Sequence, residues 1–569
     1  MPNFQDKANF IWQVADDILR GSFKENEYGE VTLPFVVLRR LDCVLEKTKD
    51  TVISSHDQFK DKPIDPKPVL LKASGQNFYN TSFFDLNRLS QDAKNIEINF
   101  NNYINGYSDE VREILENYEI DKIVQKLVRN DSLFMLVDKM TEIDLHPDVV
   151  SNHEMGYIFE ELLRKFSEMS NATAGEHYTP REVIQLMVNL LFAEHSEELQ
   201  GKGIIRTVYD PACGTGGMLT SAKEHIQKNI NSDMEVIMYG QELNEQTYAI
   251  SKSDVLIMGE NSSNIALGSS FSKDGFQGQK FNYMLSNPPF GVSWKKEQAF
   301  IKEESNDPNG RFHAGLPRSS DGALMFLQHM ISKMEPSGSR IAIIFNGSPL
   351  FTGDAGSGES DIRKWVIEND WLECIVALPN DMFFNTGIAT YIWIVTNRKP
   401  AKRRGKVQLI NAVGKSAKMR KNLGSKRNYI TKDQIKEISD IYSGFKEDEL
   451  CKIFDNNDFG FSKVTVERPL EENGKVKKDN KGKPKPDSKL RDSEKIPLKQ
   501  DIDEYFEKEV KPHVPDAWMD RNKDKVGYEI NFTKYFYKYK PLRPTLEIQT
   551  DILELELESQ NLMQEIFEV

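Results

Sequence analysis

The sequence predicts an α/β protein with a Rossmann-like, doubly wound parallel sheet, preceded by an α-helical domain and followed by a helical C-terminal extension. Apolar residues recur at helical spacing through residues 1–165, and from about Ala172 strand-like runs alternate with helix-like segments. Such alternation is typical of a parallel sheet with helices on both faces. The last stretch returns to a helical pattern, with apolar residues at heptad-like spacing.

Four regions follow from these patterns. We predict an α-helical domain over residues 1–165, the sheet domain over 166–470, a charged linker or loop over 471–499 and a C-terminal helical region over 500–569. The sheet domain alternates, in chain order, between IIRTVYD, MLTSAKEHIQKNI, VIMYGQE, QTYAISKSDVLIMG, FNYMLSN, ALMFLQHMISKM, RIAIIFN and ECIVALP, and YIWIVTN extends it.

The last two regions each allow two interpretations. The stretch EENGKVKKDNKGKPKPDSKLRDSEKIPLK has almost no large apolar residues, which predicts a solvated linker, although its basic excess also suits a DNA-binding arm. The final helix either docks on a partner or packs on its own domain. Its apolar stripe consists of Ile548, Ile552, Leu555, Leu562 and Ile566.

The composition limits the classes of function. The chain has 569 residues, is 38% hydrophobic and carries a formal net charge of -14. A protein that holds nucleic acid by itself usually has a net basic surface. If the substrate is DNA, either the positive potential is local or a partner supplies much of the binding.

Metal, disulfide and membrane classes are not indicated. The four cysteines have no C-x-x-C spacing, and His177 and His153 lack a second ligand at metal-binding spacing, so we expect no metal. We see no apolar run that could span a bilayer, and the N-terminus is polar with mixed charge. We therefore expect a cytoplasmic protein that does not contact membranes.

A glycine-rich loop after the first strand predicts a nucleotide-like cofactor. IIRTVYD ends at Asp210 and continues into PACGTGG, where glycines permit a tight turn and close approach of a ligand. The loop lacks the lysine of a P-loop and begins with a carboxylate, which disfavours a pyrophosphate and favours an ammonium or a sulfonium. Glu242, at the end of the next strand, is placed to bind ribose hydroxyls. Together these features indicate S-adenosylmethionine.

The stretch LSNPPFGVSW indicates a reactive site at the end of another strand. Pro288 and Pro289 cannot continue a sheet because they lack donors, so the strand must stop at Asn287. Ligands bind at the carboxyl ends of strands in open α/β sheets. An amide and the ring of Phe290, held there by rigid prolines, therefore predict chemistry, whereas the alternative is a simple turn with Phe290 in the core.

Three motifs give a specific resemblance. DPACGTGGML, NPPF and GEHYTPREVIQLMV resemble the cofactor, catalytic and upstream cofactor-contacting motifs of amino-methylating DNA methyltransferases, and their order is similar to the gamma arrangement of adenine-N6 enzymes. More closely, nearly the whole chain resembles the modification subunit of type I restriction-modification systems. The resemblance implies a site-specific DNA adenine-N6 methyltransferase that transfers methyl from S-adenosylmethionine to a flipped adenine.

The resemblance also implies roles for individual residues. The implied cofactor-binding residues are Glu176, His177, Tyr178, Thr179, Pro180, Arg181, Asp210, Gly214, Thr215, Gly216, Gly217 and Glu242, and the segment from Ala266 to Ser269 would contact the adenine ring. Taken alone, Thr179 before Pro180 also reads as the cap of a helix. Cys213 is interpreted as a small buried residue, because no neighbouring base lowers the pKa of its thiol.

The implied catalytic residues are Asn287, Pro288, Pro289 and Phe290. The adenine amine is a poor nucleophile because its lone pair is delocalised into the ring. Acceptors on its two hydrogens, the Asn287 side-chain oxygen and the Pro288 carbonyl, would free that lone pair for in-line attack, while Phe290 stacks on the extruded base. No strong general base is required, because the methylated amine loses its proton to solvent.

The partners implied are double-stranded DNA, a specificity subunit flanked by two copies of this chain, and a motor restriction subunit. The C-terminal helix from about Thr545 and the preceding NFTKYFYKYKPLR are the predicted docking segments. Methylation of a protein glutamine or an RNA amine uses the same acceptor geometry and stays an alternative. A nonenzymatic scaffold would predict damage at Asp210, Asn287 or Phe290, and all three are intact.

Overall fold

A computed structural model describes residues 4–170, 179–193, 199–384, 386–423, 425–472, 475–539 and 542–567. Glu176, His177 and Tyr178 lie outside these ranges. The chain forms two compact units, residues 1–530 and 531–569. Within the described ranges, every helix is too short or too polar to cross a bilayer.

The N-terminal part of the first unit is helical because apolar stripes along its segments share one core. Its helices are α1 (Phe4–Leu19), α2 (Tyr28–Leu45), α3 (Lys49–Phe59), α4 (Lys67–Ser74), α5 (Leu86–Leu89), α6 (Ile96–Asn105), α7 (Asp109–Asn117), α8 (Ile120–Arg129), α9 (Leu133–Thr141) and α10 (Asn152–Ser170). Helix α2 lies at the centre, where even Arg40 is fully buried. The Arg40 guanidinium donates to the carbonyl of Val150 at 2.7 Å, which fastens α2 to the start of α10.

The doubly wound sheet predicted from the alternating pattern is confirmed. Its strands are β1 (Ile205–Asp210), β2 (Glu235–Glu242), β3 (Ile265–Leu267), β4 (Tyr283–Ser286), β5 (Arg340–Asn346), β6 (Leu372–Ala377), β7 (Thr390–Thr396), β8 (Lys406–Asn411) and β11 (Cys451–Asp455). Their order is β11-β8-β6-β7-β5-β4-β1-β2-β3. The order reverses between β1 and β4, which is where α/β sheets bind ligands.

Helices cover the sheet: α11 (Arg181–Phe192), α12 (Gly217–Asn229), α13 (Glu245–Ile257), α14 (Gln298–Ser305), α15 (Ala323–Ser332), α16 (Ser348–Phe351), α17 (Gly358–Glu368) and α18 (Lys432–Gly444). The sheet is not wholly parallel. Strand β7, the predicted extension YIWIVTN, runs antiparallel between β5 and β6, and β11 is antiparallel to β8. A chain that reverses directly from β6 into β7 needs no crossover helix, whereas a parallel pair does.

Residues 412–530 add smaller elements, and here the linker prediction for 471–499 needs correction. They are β9 (Ala417–Leu423), β10 (Lys426–Tyr429), β12 (Gly460–Glu467), β13 (Glu471–Glu472), β14 (Lys475–Val476), β15 (Asp492–Pro497), α19 (Ile502–Tyr505), a π-helix (Phe506–Val510) and β16 (Trp518–Tyr528). Strands β15 and β16 flank β12 in one antiparallel sheet. The described parts of 471–499 are thus partly strand, and the predicted helical region from 500 contains the long strand β16.

The second unit contains the predicted C-terminal helix. Helix α20 (Phe532–Tyr535) is a single turn, and α21 (Thr545–Phe567) continues for 23 residues. The Arg543 guanidinium contacts the carboxylates of Glu547 and Asp551 at the start of α21. Along α21, the side chains of Ile548, Ile552, Leu555 and Leu562 are all exposed.

Candidate active site

The two predicted loops meet at the point where the strand order reverses. Strands β1 and β4 are parallel neighbours, with Val208 paired to Tyr283. Their carboxyl ends place Asp210 beside Ser286, whose hydroxyl donates to Asp210 Oδ1 at 2.8 Å. The loop that follows β1 is therefore joined directly to the start of the NPPF segment.

The glycine-rich loop is shaped by its glycines and by Glu242. Gly214 and Gly216 have φ angles of 54° and 83°, a conformation that side-chain-bearing residues rarely adopt. The backbone N–H of Gly214 donates to Glu242 Oε2, and the backbone N–H of Asn244 donates to Glu242 Oε1, each at 2.8 Å. Glu242 thus fixes the loop, and burial raises the pKa of its carboxyl group.

Close packing underneath the loop explains two further residues. A Cβ on Gly240 of β2 would lie 2.8 Å from Cys213 Sγ, so only glycine fits there. Cys213 is buried, and burial raises the pKa of its thiol. The prediction that Cys213 is a small buried residue is confirmed.

Asp210 fits a cationic ligand. The residue is fully buried, and its Oδ1 accepts hydrogen bonds from Ser286 and from the Ala212 amide. Its Oδ2 has no hydrogen-bond partner among the described residues. Burial, with a smaller contribution from the charge of Glu242, raises the pKa of Asp210 to about 7. A buried carboxylate with an unpaired oxygen is stabilised by a nearby cation, and the ammonium of S-adenosylmethionine would supply one.

Asn287 presents an acceptor that nothing in the described structure uses. Strand β4 ends at Ser286, and the Asn287 side chain is only 6% exposed. Its Nδ2 donates to Thr179 Oγ1 at 2.8 Å, whereas its Oδ1 is buried without a partner among the residues described. The Thr179 hydroxyl in turn lies 3.8 Å from the sulfur of Met218 and donates to it. This chain of contacts directs the amide oxygen away from Thr179.

The rest of the NPPF segment is rigid and partly open. Pro288 is buried, Pro289 is half-buried, and neither can join the sheet. Phe290 is half-buried, and its ring meets the buried ring of Phe383 edge-on, with 6.4 Å between centroids. Phe383 supports Phe290, and Phe290 keeps some accessible surface.

The described part of the upstream segment, from Thr179 to Arg181, does not form the helix cap that Thr179 alone would suggest. Helix α11 begins at Arg181 with Pro180 as its cap residue and no capping side chain, so Thr179 is not the cap. The Arg181 guanidinium packs over the ring of Tyr157, 3.0 Å from its centroid. Arg181 also lines a cavity of about 420 Å³, together with Thr215 and Gly217 of the cofactor loop.

Sequence reasoning missed Ser286 and Asn244, which hold the two acidic residues of the site. Ser286 precedes NPPF directly and Asn244 follows Glu242 by two residues, so their positions at the same strand ends were the available signal. The segment from Ala266 to Ser269 begins at the end of β3, and the Gly268 amide donates to the Glu242 carbonyl at 2.8 Å. It therefore lies beside the cofactor loop.

This geometry belongs to a class of enzyme. A doubly wound sheet that places a buried carboxylate one strand from an amide oxygen, each with an acceptor atom unpaired among the described residues, is suited to alkylating an amine with a sulfonium donor. The site therefore defines an S-adenosylmethionine-dependent amino-methyltransferase.

Comparison with known proteins identifies the family. Residues 150–480 match the model described as N-6 DNA Methylase, and residues 7–140 match the HsdM N-terminal domain. Over 494 residues the chain is 28% identical to the type I restriction enzyme MjaIX methylase subunit of Methanocaldococcus jannaschii, covering 84% of this chain and 83% of that one. It is 31% identical over 263 residues to the HindI methylase subunit of Haemophilus influenzae, covering 45% and 54%.

A solved structure supports the fold. The type I restriction-modification methyltransferase subunit from Streptococcus thermophilus has a TM-score of 0.62 at 22% identity, covering 80% of this chain and 96% of that one. The chain belongs to the N-6 DNA methylase family. It is an S-adenosylmethionine-dependent DNA methyltransferase for adenine N6, of the kind that forms the modification subunit of type I restriction-modification systems.

Proposed function

We propose that Asn287 and the Pro288 carbonyl accept the two amino hydrogens of a target adenine extruded from DNA. The observation that carries this proposal is the buried Asn287 Oδ1 without a hydrogen-bond partner among the described residues. An unpaired buried acceptor costs about 1–3 kcal/mol, so a donor that reaches it is bound with that much advantage. The adenine amine is such a donor, and the prolines hold both acceptors in place.

Phe290 contributes the stacking surface for the extruded base. Its ring is half-buried and supported edge-on by Phe383, so one part is fixed and another remains accessible. Extrusion costs a few kcal/mol of unstacking, and stacking on an aromatic face offsets part of it. The base then lies with its amine against Asn287.

The cofactor is held on the other side of Asn287. Asp210 Oδ2 would accept from the ammonium group, Glu242 would accept from the ribose hydroxyls, and Gly214, Thr215, Gly216 and Gly217 would line the backbone cradle. The contact of residues 176–181 with the methionine end also remains a proposal. The bound cofactor supplies an electrophilic methyl group: a nitrogen–carbon bond forms as the sulfur–carbon bond breaks, and the amine then releases a proton to solvent.

A methyl-transfer assay tests the site. Labelled transfer to DNA is measured for the wild type, Asn287→Ala and Asn287→Asp, and the product base is identified. Asn287→Ala should lose at least about 100-fold in kcat, the typical cost of removing one preorganised transition-state contact. Binding of S-adenosylmethionine should persist in both variants. Full activity of Asn287→Ala, or a methylated protein or RNA instead of N6-methyladenine, would reject the proposal.

The recognition partner is proposed to be a specificity subunit, with two copies of this chain per complex and a motor restriction subunit joining for cleavage. The sequence of this acidic chain contains no recognisable DNA-recognition motif, which is why we assign recognition to a partner. We also propose that the protein acts in the cytoplasm, where it would reach chromosomal DNA. Helix α21 supports this assembly because it is apolar on two sides. The stripe at Ile548, Ile552, Leu555 and Leu562 is exposed, and so is a second one formed by Leu546, Leu553 and Leu557. A helix with apolar residues on two faces is stable in water only when other helices cover it.

Paired substitutions on α21 test the docking proposal. Leu555→Glu/Leu562→Glu should abolish co-purification with the specificity partner, because each buried carboxylate would lack a counter-charge. Gln549→Glu/Gln560→Glu adds the same charge on a polar flank and should retain the partner. Retention by the leucine variant, or loss in both variants, would place the interface elsewhere.

A further inference from the structure

The β9–β10 hairpin is strongly basic in an otherwise acidic protein. Residues 417–429 contain five Lys or Arg residues and no Asp or Glu, whereas the whole chain has a net charge of -14. The two strands pair antiparallel, with Asn428 opposite Lys418 and Tyr429 opposite Ala417. The hairpin is therefore a small positive ribbon on a negative molecule.

Backbone hydrogen bonds fasten this ribbon to the loop between β6 and β7. The Ser425 amide donates to the Phe384 carbonyl at 2.7 Å, and the Arg427 amide donates to the Asp381 carbonyl at 2.9 Å. That loop follows the carboxyl end of β6, which lies at the same edge of the sheet as the candidate active site, because β6 and β5 are both antiparallel to β7 and β5 is parallel to β4. The hairpin thus lies at the ligand-binding edge.

Further contacts place the hairpin beside residues of the proposed base-binding site. The buried Lys426 ammonium pairs with the carboxylate of Glu182, three residues after Thr179. The β6–β7 loop, to which the hairpin is hydrogen-bonded, also contains Phe383, whose ring packs on Phe290. The hairpin therefore contacts both the helix that follows Thr179 and the loop that supports Phe290.

Three basic side chains of the hairpin are unpaired among the residues that the structure describes. Lys418, Arg420 and Arg427 are exposed, and no ion pair to any of them occurs within the described part of the chain. Nearby, Lys415 pairs with Glu437. Lys418 and Arg420 project from the same face of β9, because alternate residues of a strand share a face.

We propose that the β9–β10 hairpin binds the phosphodiester backbone of the DNA next to the target adenine, through Lys418, Arg420 and Arg427. The placement rests on the proposed catalysis at Asn287, since the adenine bound there brings its flanking phosphates to this edge. Local positive charge at the mouth of the site explains how an acidic chain holds a polyanion. Phosphate contacts of this kind position DNA without reading its sequence.

The test is the salt dependence of DNA binding by the full-length chain. Affinity for a short duplex is measured by fluorescence anisotropy between about 50 and 200 mM salt. The logarithm of the binding constant falls with the logarithm of salt concentration by about 0.9 for each phosphate neutralised. The variant Lys418→Gln/Arg420→Gln/Arg427→Gln should therefore flatten the slope by about 2 to 3.

A matched control keeps the overall charge change the same. Lys478→Gln/Lys481→Gln/Lys483→Gln removes three exposed charges from the 475–486 segment and should leave the slope unchanged. An unchanged slope in the hairpin variant, an equal loss in both variants, or no salt-dependent DNA binding by the wild type would overturn the proposal. Methyl transfer by the same wild-type preparation, assayed with the specificity partner added, separates the two claims. Transfer with an unchanged hairpin slope rejects the hairpin alone, and a flattened slope without transfer rejects only catalysis at Asn287.

Discussion

Replacing Thr179 tests whether its hydroxyl orients the Asn287 side-chain amide, for which we propose a catalytic role. In the structure Thr179 Oγ1 accepts from Asn287 Nδ2 at 2.8 Å while its own hydrogen is directed to the sulfur of Met218. Thr179→Val keeps the size of the side chain but removes the acceptor. Without that hydrogen bond, the Asn287 side chain can rotate and point its Nδ2 toward the target amine. Two hydrogen-bond donors would then face each other, and the acceptor that the proposed mechanism needs would be lost.

The magnitude follows from one buried hydrogen bond. Leaving the buried Nδ2 without its acceptor costs about 1–3 kcal/mol, and we take the middle of that range, about 2 kcal/mol, as the penalty on the productive orientation. Since 1.36 kcal/mol corresponds to tenfold in rate, kcat should fall about 30-fold. Thr179→Ser keeps the hydroxyl and should stay within about threefold of wild type, because it loses only a methyl group.

Steady-state methyl transfer with varied S-adenosylmethionine separates positioning from cofactor binding. A residue that positions Asn287 lowers kcat, and a contact of Thr179 with the cofactor would raise KM for S-adenosylmethionine in addition. The reasoning would be refuted if Thr179→Val kept its kcat and raised KM for S-adenosylmethionine, or if Thr179→Ser were as slow as Thr179→Val. The first outcome would make Thr179 a cofactor contact, and the second would make its methyl group the functional part.

Three further predictions concern the cofactor loop. Because burial raises the pKa of Asp210 to about 7, its carboxylate protonates as pH falls through 7, and binding of S-adenosylmethionine should weaken about tenfold per unit below that. Isothermal titration between pH 5 and 8 measures this, and Asp210→Asn should bind weakly without that pH dependence; a pH-independent wild type contradicts the assignment. Gly240→Ala should destabilise the protein by about 1–3 kcal/mol in chemical unfolding, because its Cβ meets Cys213 Sγ at 2.8 Å. Gly444→Ala, whose Cβ would have no neighbour within 4 Å, is the control and should change little. Finally, Ser286→Ala should raise the pKa of Asp210 further, because Ser286 donates to its carboxylate, and should move the pH midpoint for cofactor binding upward.

The fold, and the convergence of the candidate site residues at one sheet edge, were predictable where they depend on local sequence pattern. Asp210, Glu242 and Asn287 each end a strand-like apolar run, and parallel strands bring their carboxyl ends to one edge, so three local signals implied one site. The bond from Asn287 to Thr179 had no such signal. It joins residues 108 apart in the chain, and only the three-dimensional fold shows which atoms meet.

Strand β15 and the antiparallel orientation of β7 were not predicted, for a different physical reason. Strand β15 has a single buried residue, Ile496, and is otherwise charged, so its composition resembles a solvated linker. It is held by pairing with β12 and by surface contacts such as Lys495 with Glu529. The position of β7 was equally hidden, because a buried strand has the same apolar pattern whether its neighbours are parallel or antiparallel.

The carboxylates of Asp210 and Glu242, at the ends of β1 and β2, have a consequence for the lifetime of the protein. Asp210 and Glu242 lie close enough for the charge of Glu242 to raise the pKa of Asp210, and both are desolvated. A cationic ligand that binds only the folded chain shifts its folding equilibrium by about 2.7 kcal/mol at a concentration 100 times its Kd. The abundance of folded subunit would then follow the supply of methyl donor, so a cell short of S-adenosylmethionine would lose modification capacity through protein turnover as well as through slower catalysis.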